Sequence, residues 1–169
     1  PVGFRQLEFN PVSGFLLNGK SLKIKGVCDH HTAGAVGAAV PDDLLHYRLK
    51  LLKDMGCNAI RTSHNPFSPA FYNLCDTMGI MVLNEGLDGW NQPKAADDYG
   101  NYFDEWWQKD MTDFIKRDRN HPSIIMWSIG NEVEQRADEP EGDLISKRLV
   151  NTVRKYDTSR FTTIGSNDF

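Results

Sequence analysis

Between residues 22 and 164 the sequence switches repeatedly between two hydrophobic periods, and that alternation leaves few folds open. Residues 22–28 (LKIKGVC) alternate apolar and basic side chains at period 2, as a strand entering a sheet does. Residues 42–55 then repeat Leu45, Leu49 and Leu52 at helical spacing, with Asp42 placed to cap the start and Gly56 to end it. Residues 58–62 (NAIRT) read as a second strand. A second helix opens at Ser68-Pro69, turns Phe71, Leu74, Cys75 and Met78 inward and closes at Gly79. Residues 80–84 (IMVLN) are a nearly continuous apolar strand, as expected where both faces are covered. After a polar loop, residues 101–119 place Phe103, Trp107, Met111, Phe114 and Ile115 on one side of a third helix. Residues 124–128 form a fourth strand, 142–156 a fourth helix with Leu144, Ile145, Leu149 and Val153 inward, and 161–164 (FTTI) a fifth strand.

Strand and helix alternating at this spacing mean parallel pairing through right-handed crossovers. The first strand–helix turn has no GxGxxG, whereas polar residues gather just after the first four strands, as in a (β/α)8 barrel. Eight strands need about 250 residues. The fold expected is therefore α/β, a partial (β/α)8 TIM barrel over residues 22–169 with about five strands and four helices. Residues 1–21, with the Asn18-Gly19 turn, read as a β-hairpin or linker from a preceding domain. Asp168-Phe169, directly after a strand end, reads as a cut in a longer chain. An opened barrel exposes sheet edges, so self-association is expected.

A net charge of -4 and a pI of 5.7 supply no broad basic surface, which argues against nucleic-acid and anionic-membrane partners. No apolar run approaches the roughly 20 residues of a membrane span, and PVGFRQLEFN is not a signal peptide. Cys28, Cys57 and Cys75 form no CxxC pair and read as buried free thiols, favouring a reducing compartment. A leader outside this sequence would equally allow the periplasm or secretion, so the compartment stays open.

The strand ends present Asp29-His30-His31, Arg61-Thr62-Ser63-His64-Asn65, Glu85, and Asn131-Glu132. In a parallel barrel such ends converge on one rim. The run IIMWSIGNE then makes sense as a buried strand emerging at an amide and a carboxylate. Glu132, among apolar strand residues and near Trp127 in sequence, is expected to have its carboxyl pKa raised by desolvation, as suits a general acid. A helix cap or a pair with Arg61 is its alternative. Asn131 suits donation to a substrate hydroxyl. Asp88 and Trp90 are placed to line a pocket, with loop packing the other reading of Trp90. His30 and His31 point to opposite faces of an extended segment and cannot both reach one ion, which argues against a metal-dependent hydrolase. His31 reads as hydrogen-bonded to the nearby loop, and His46 and His121 as structural. The acids Glu134, Glu139, Glu141, Asp157 and Asp168 read as solvated charges.

The segments RDRNHPSIIMWSIGNE (117–132), RTSHNPFSPAFYNLCDTMGI (61–80) and LNGKSLKIKGVCDHH (17–31) together resemble the catalytic barrel of glycoside hydrolase family 2, the β-galactosidase, β-glucuronidase and β-mannosidase group. The resemblance implies a retaining glycosidase barrel behind β-sandwich domains, acting on a β-linked glycoside, with a lean towards galactose. It implies that Glu132 is the acid/base, that Asn131 bonds the sugar's 2-hydroxyl, that His30 and His64 line the sugar pocket, and that Arg61 lies beside the nucleophile. Asp29, Glu85 and Trp90 are added as substrate contacts. In the family the nucleophile comes from a strand beyond position 169, about 5 to 5.5 Å from the acid in retaining enzymes. The chain then holds half of a catalytic pair and is expected to be inactive alone. Some β-galactosidases of the family carry an acidic and a histidine metal ligand after the third strand; here Glu85 is followed by GLDGW, without the histidine. No cofactor is assigned and a divalent-metal site lacks support. The competing expectation is a sugar-binding or structural half-barrel without catalysis.

Overall fold

The computed structural model describes residues 3–133 and 139–166; Glu134 and Asp168 lie outside them. The chain divides into two compact units, one of residues 1–63, 67–83 and 120–125, the other of residues 64–66, 84–119 and 126–169.

The first unit opens with three antiparallel strands in the order β1 (Leu7–Asn10), β2 (Gly14–Leu17), β3 (Lys20–Ser21). Asn18 and Gly19 join β2 to β3 at φ of 53° and 75°, the left-handed pair that a two-residue type I′ turn requires. Then follow β4 (Gly26–His30), α1 (Asp42–Asp54), β5 (Ala59–Ser63), α2 (Pro69–Met78) and β6 (Met81–Glu85). Parallel pairing runs from Gly26↔Ala59 to His30↔Ser63 and from Ala59↔Met81 to Arg61↔Leu83. In α1, Leu45 and Leu49 are buried, but Asp42 does not cap: Pro41 holds the cap position, and Asp42 and Asp43 sit in the first turn, where the helix dipole favours them. Ser68 holds the cap position of α2 without a side-chain bond, and Gly79 closes it at φ 70°. Tyr72 adds to the inner face of α2 beyond the expected stripe. Its hydroxyl accepts from the backbone N–H of Phe67 at 3.0 Å, so the polar tip is satisfied inside the core.

The second unit holds a 3-10 turn (Tyr99–Asn101), α3 (Phe103–Asp118), most of β7 (Ile124–Asn131), α4 (Pro140–Tyr156) and β8 (Phe161–Gly165). β7 pairs with β8 in parallel from Met126↔Phe161 to Asn131↔Gly165, with a register shift between Ser128 and Asn131. β6 and β7 are tied by Val82 N–H to Ser123 O at 2.8 Å in the first unit and Gly86 N–H to Ser128 O at 3.0 Å in the second. The five strands follow one another in chain order, β4-β5-β6-β7-β8, with a helix between successive strands, which is a part of a (β/α)8 barrel and not a closed one.

Three differences from the sequence reading concern side chains. Leu144 on α4 is 48% exposed, while Ile145, Leu149 and Val153 are buried as expected. Cys28 is exposed and Cys57 half-buried, leaving Cys75 as the buried thiol, because alternate residues of β4 face solvent. Asp157 is not a solvated charge: it is buried and accepts from the indole Nε1 of Trp127 at 2.8 Å. Trp127 in turn meets Phe114 edge-on at 5.2 Å, a geometry contributing about 0.5–1.5 kcal/mol beyond area burial.

Candidate active site

β7 runs eight residues rather than five, because Ile129 and Gly130 continue the buried strand. A Cβ on Gly130 would stand 2.9 Å from Val133 Cγ1 and 3.0 Å from Trp90 Nε1, so only glycine lets the strand pass this close. Asn131 is the last residue of β7 and is buried. Its backbone N–H donates to Asp88 O at 2.8 Å. Glu132 follows at φ 46°, left-handed backbone that costs an ordinary residue about 1–2 kcal/mol, and its N–H donates to Gly165 O at 2.7 Å. This turn swings Glu132 out of the sheet, and its residue is exposed. The buried run of β7 ends at Asn131, one residue before Glu132.

Behind Asn131 stands a polar bracket that the sequence did not suggest. Asp88 accepts from Asn131 Nδ2 at 3.0 Å and from Lys94 Nζ at 2.8 Å. Lys94 Nζ also donates to Asn131 O at 2.7 Å and to Asp88 O at 3.3 Å. Burial pushes the Asp88 carboxyl up, but the hydrogen bonds from Lys94 and Asn131, with the Lys94 and His64 charges, outweigh it and hold Asp88 below its usual range.

Glu85, expected as a substrate contact, has 0% exposure. Its Oε1 pairs with His64 Nδ1 at 2.7 Å and its Oε2 accepts from Ser128 Oγ at 2.7 Å. Both carboxylate oxygens are engaged with protein, so Glu85 orients His64 rather than meeting a sugar directly. With Nδ1 held by Glu85, the Nε2 edge of the ring points the other way. His64 borders a cavity of about 430 Å³ with Asn65, Asp88, Tyr99, Asp110 and Arg117, among others; Asn131 and Glu132 are not in its wall. Trp90 is 1% exposed and donates from Nε1 to Ile129 O at 2.9 Å. It is a packing residue, since a face so buried offers a sugar nothing to stack on.

The first unit holds Asp29, His30 and Arg61. Arg48 of α1 donates to both Asp29 carboxylate oxygens (3.2 and 3.1 Å), to His30 O at 2.9 Å and to Thr32 O at 2.7 Å, strapping the end of β4. Arg48 sits between Leu45 and Leu49 on the inward stripe of α1, the one sequence signal that could have marked it. His30 is exposed, and Arg61 Nη1 lies 3.7 Å from Cys28 Sγ. His31 differs from expectation: its buried Nδ1 makes no hydrogen bond, and the ring meets Phe67 edge-on at 5.7 Å. His121 is structural, its Nδ1 2.6 Å from Asp76 Oδ2, and His46 is exposed on α1. Among the described residues no group of three or more His, Cys, Asp or Glu side chains is placed to hold a metal ion.

Parallel strands in chain order with helices between them, Asn131 and Glu132 at the end of β7 and His64 held by Glu85 just after β5 define a partial (β/α)8 barrel with polar side chains at its strand ends. The family model described as "Glycosyl hydrolases family 2, TIM barrel domain" matches residues 11–168, and the chain belongs to that family. It is 47% identical over 156 residues to the β-galactosidase BoGH2A of Bacteroides ovatus, covering 92% of this chain and 18% of that protein. It is 44% identical over 167 residues to a putative β-glucuronidase of Formosa agariphila, covering 98% of this chain and 15% of that protein. Among solved structures, a β-glycosidase from Bacteroides vulgatus superposes with a TM-score of 0.92 at 85% identity, over 98% of this chain and 21% of that one. The chain thus spans about a fifth or less of the length of these relatives.

Proposed function

We propose that this segment supplies the acid/base half of a retaining β-glycosidase site. Glu132, protonated, gives its proton to the glycosidic oxygen as a carboxylate from outside this chain attacks the anomeric carbon and the C–O bond breaks. The resulting Glu132 carboxylate then takes a proton from the water that hydrolyses the glycosyl-enzyme, which returns both groups to their starting states. The observation that best supports this reading is the end of β7: Asn131 is bracketed by Asp88 and Lys94, and the next residue, Glu132, turns out of the sheet at φ 46° and is exposed. In the second unit His64 is proposed as a sugar contact, with Glu85 acting through it; in the first unit His30 and Arg61 are proposed as sugar contacts in their own right, with Arg48 acting through Asp29. The substrate proposed is a β-galactoside, in line with the 47% identity to BoGH2A; the relative at 44%, a putative β-glucuronidase, favours a glucuronide as the second reading.

A panel of nitrophenyl β-galactoside, β-glucuronide and β-mannoside tests this with a full-length enzyme carrying the segment. The galactoside is expected to be cleaved fastest, and the 169-residue chain alone to cleave none. Hydrolysis by the isolated chain, or no cleavage of any of the three by the full-length enzyme, contradicts the proposal.

A further inference from the structure

We infer that the cavity bordered by His64 and α3 is a binding site for a small organic cation, an ammonium on an aryl or alkyl body, with Asp110 as its counter-ion. The inference does not depend on the reading of Glu132, which is not in the cavity wall.

The cavity is lined by residues of the second unit, and its volume of about 430 Å³ falls in the range of small-molecule sites, about 300–1,000 Å³. Pro66, Leu87 and Phe114 supply apolar wall. Four of its titratable side chains already have a charged partner: Asp88 has Lys94 at 2.8 Å, Asp113 has Lys109 at 2.8 Å, Arg117 has Asp118 at 2.6 Å and His64 has Glu85 at 2.7 Å. Asp110 differs. Its Oδ2 accepts from the Tyr99 hydroxyl at 2.8 Å, and a phenol brings no charge. Burial, then the hydrogen bond to Asp110 and the charge of that carboxylate, push the Tyr99 phenol up, so it keeps its proton and donates. Lys109 also feels the Asp110 charge but donates to Asp113.

A half-buried carboxylate beside apolar wall selects by charge. An anion is repelled, and a neutral ligand of the same shape gains burial alone. An ammonium gains the burial and an ion pair. Tyr99 holds the carboxylate by Oδ2 before any ligand arrives, so binding does not have to order it, and Oδ1 is the acceptor for the cation. The apolar body then rests on Leu87 and Phe114, each 5% exposed.

Isothermal titration of a full-length enzyme carrying this segment with 2-phenylethylammonium, 2-phenylethanol and 3-phenylpropanoate tests the inference. The ammonium is expected to bind with a Kd on the order of 1 mM, as suits a fragment of its size. The alcohol is expected to bind about fivefold to tenfold more weakly, the preference that one partly exposed ion pair brings, and the carboxylate more weakly still. Asp110→Asn is expected to bring the ammonium down to the level of the alcohol and to leave the alcohol unchanged. A crystal soaked with the 4-bromo derivative of the ammonium is expected to show bromine beside Leu87 and Phe114, which decides the matter if Asp110→Asn does not fold. Equal affinities for ammonium and alcohol, ammonium binding that survives Asp110→Asn, or bromine only at other sites overturns the inference. So does an ammonium that fails to bind up to about 10 mM.

Discussion

Asp157 shows how a single buried carboxylate links a loop to the core. It accepts from Trp127 Nε1 at 2.8 Å, from Ser159 N–H at 2.8 Å, from Ser159 Oγ at 2.6 Å and from Arg160. Burial opposes ionisation, yet these hydrogen bonds prevail and lower its pKa from 3.8 to about 2. A carboxylate whose folded pKa lies below its unfolded one adds stability above the unfolded value and loses it as pH falls through the folded one. The gap corresponds to about 2 kcal/mol, present above about pH 4 and lost towards pH 2. Urea unfolding followed by tryptophan fluorescence should therefore show a steeper loss of stability between those pH values for the chain as it is than for Asp157→Ala; parallel slopes contradict this. None of it was legible in sequence, where Asp157 is one more acid after a helix. The same holds for Trp90, Glu85 and Lys94. Trp90 and Lys94 lie in loop 86–98, which has no hydrophobic period to read, and Glu85 is paired with His64 and Ser128, both remote in sequence, whereas Asn131 and Glu132 stood out because a polar pair ended an apolar run.

Elements fared better than residues, for a physical reason. Each strand and helix core is set by a repeat of 2 or 3.6 residues, and the alternation of the two dictates parallel pairing. The ends were less legible. Asp42 and Ser68 have the chemistry of caps but make no cap bonds, and β7 continues past Ser128 because Gly130 permits a close approach that apolar content does not signal. The outer strands have a consequence of their own. Among the described residues β4 and β8 each pair on one side only, Cys28 and His30 of β4 are exposed, and Phe161 of β8 is 59% exposed. Such edges template pairing with another chain. The chain alone is expected to elute from a sizing column as a dimer or larger at high concentration, with Phe161→Lys shifting it towards monomer. A concentration-independent monomer contradicts that expectation.

At the scale of the whole molecule, membership of glycoside hydrolase family 2 and the partial barrel agree with what the three sequence motifs implied, and the match over residues 11–168 includes nearly all of the chain. The chain spans 18% of BoGH2A and 21% of the Bacteroides vulgatus β-glycosidase, and the chemistry proposed for it takes its attacking carboxylate from outside this chain. The other carboxyl of the proposed pair is Glu132. Glu132→Gln, in a full-length enzyme carrying this segment, should be compared on an alkyl β-galactoside and on a dinitrophenyl β-galactoside, whose leaving group departs without a proton. With Glu132 as the proton donor, a loss of about 10²- to 10⁴-fold is expected on the alkyl substrate but a nearly intact first-turnover burst of dinitrophenolate. Equal losses on both substrates, or unchanged hydrolysis of the alkyl glycoside, would contradict it.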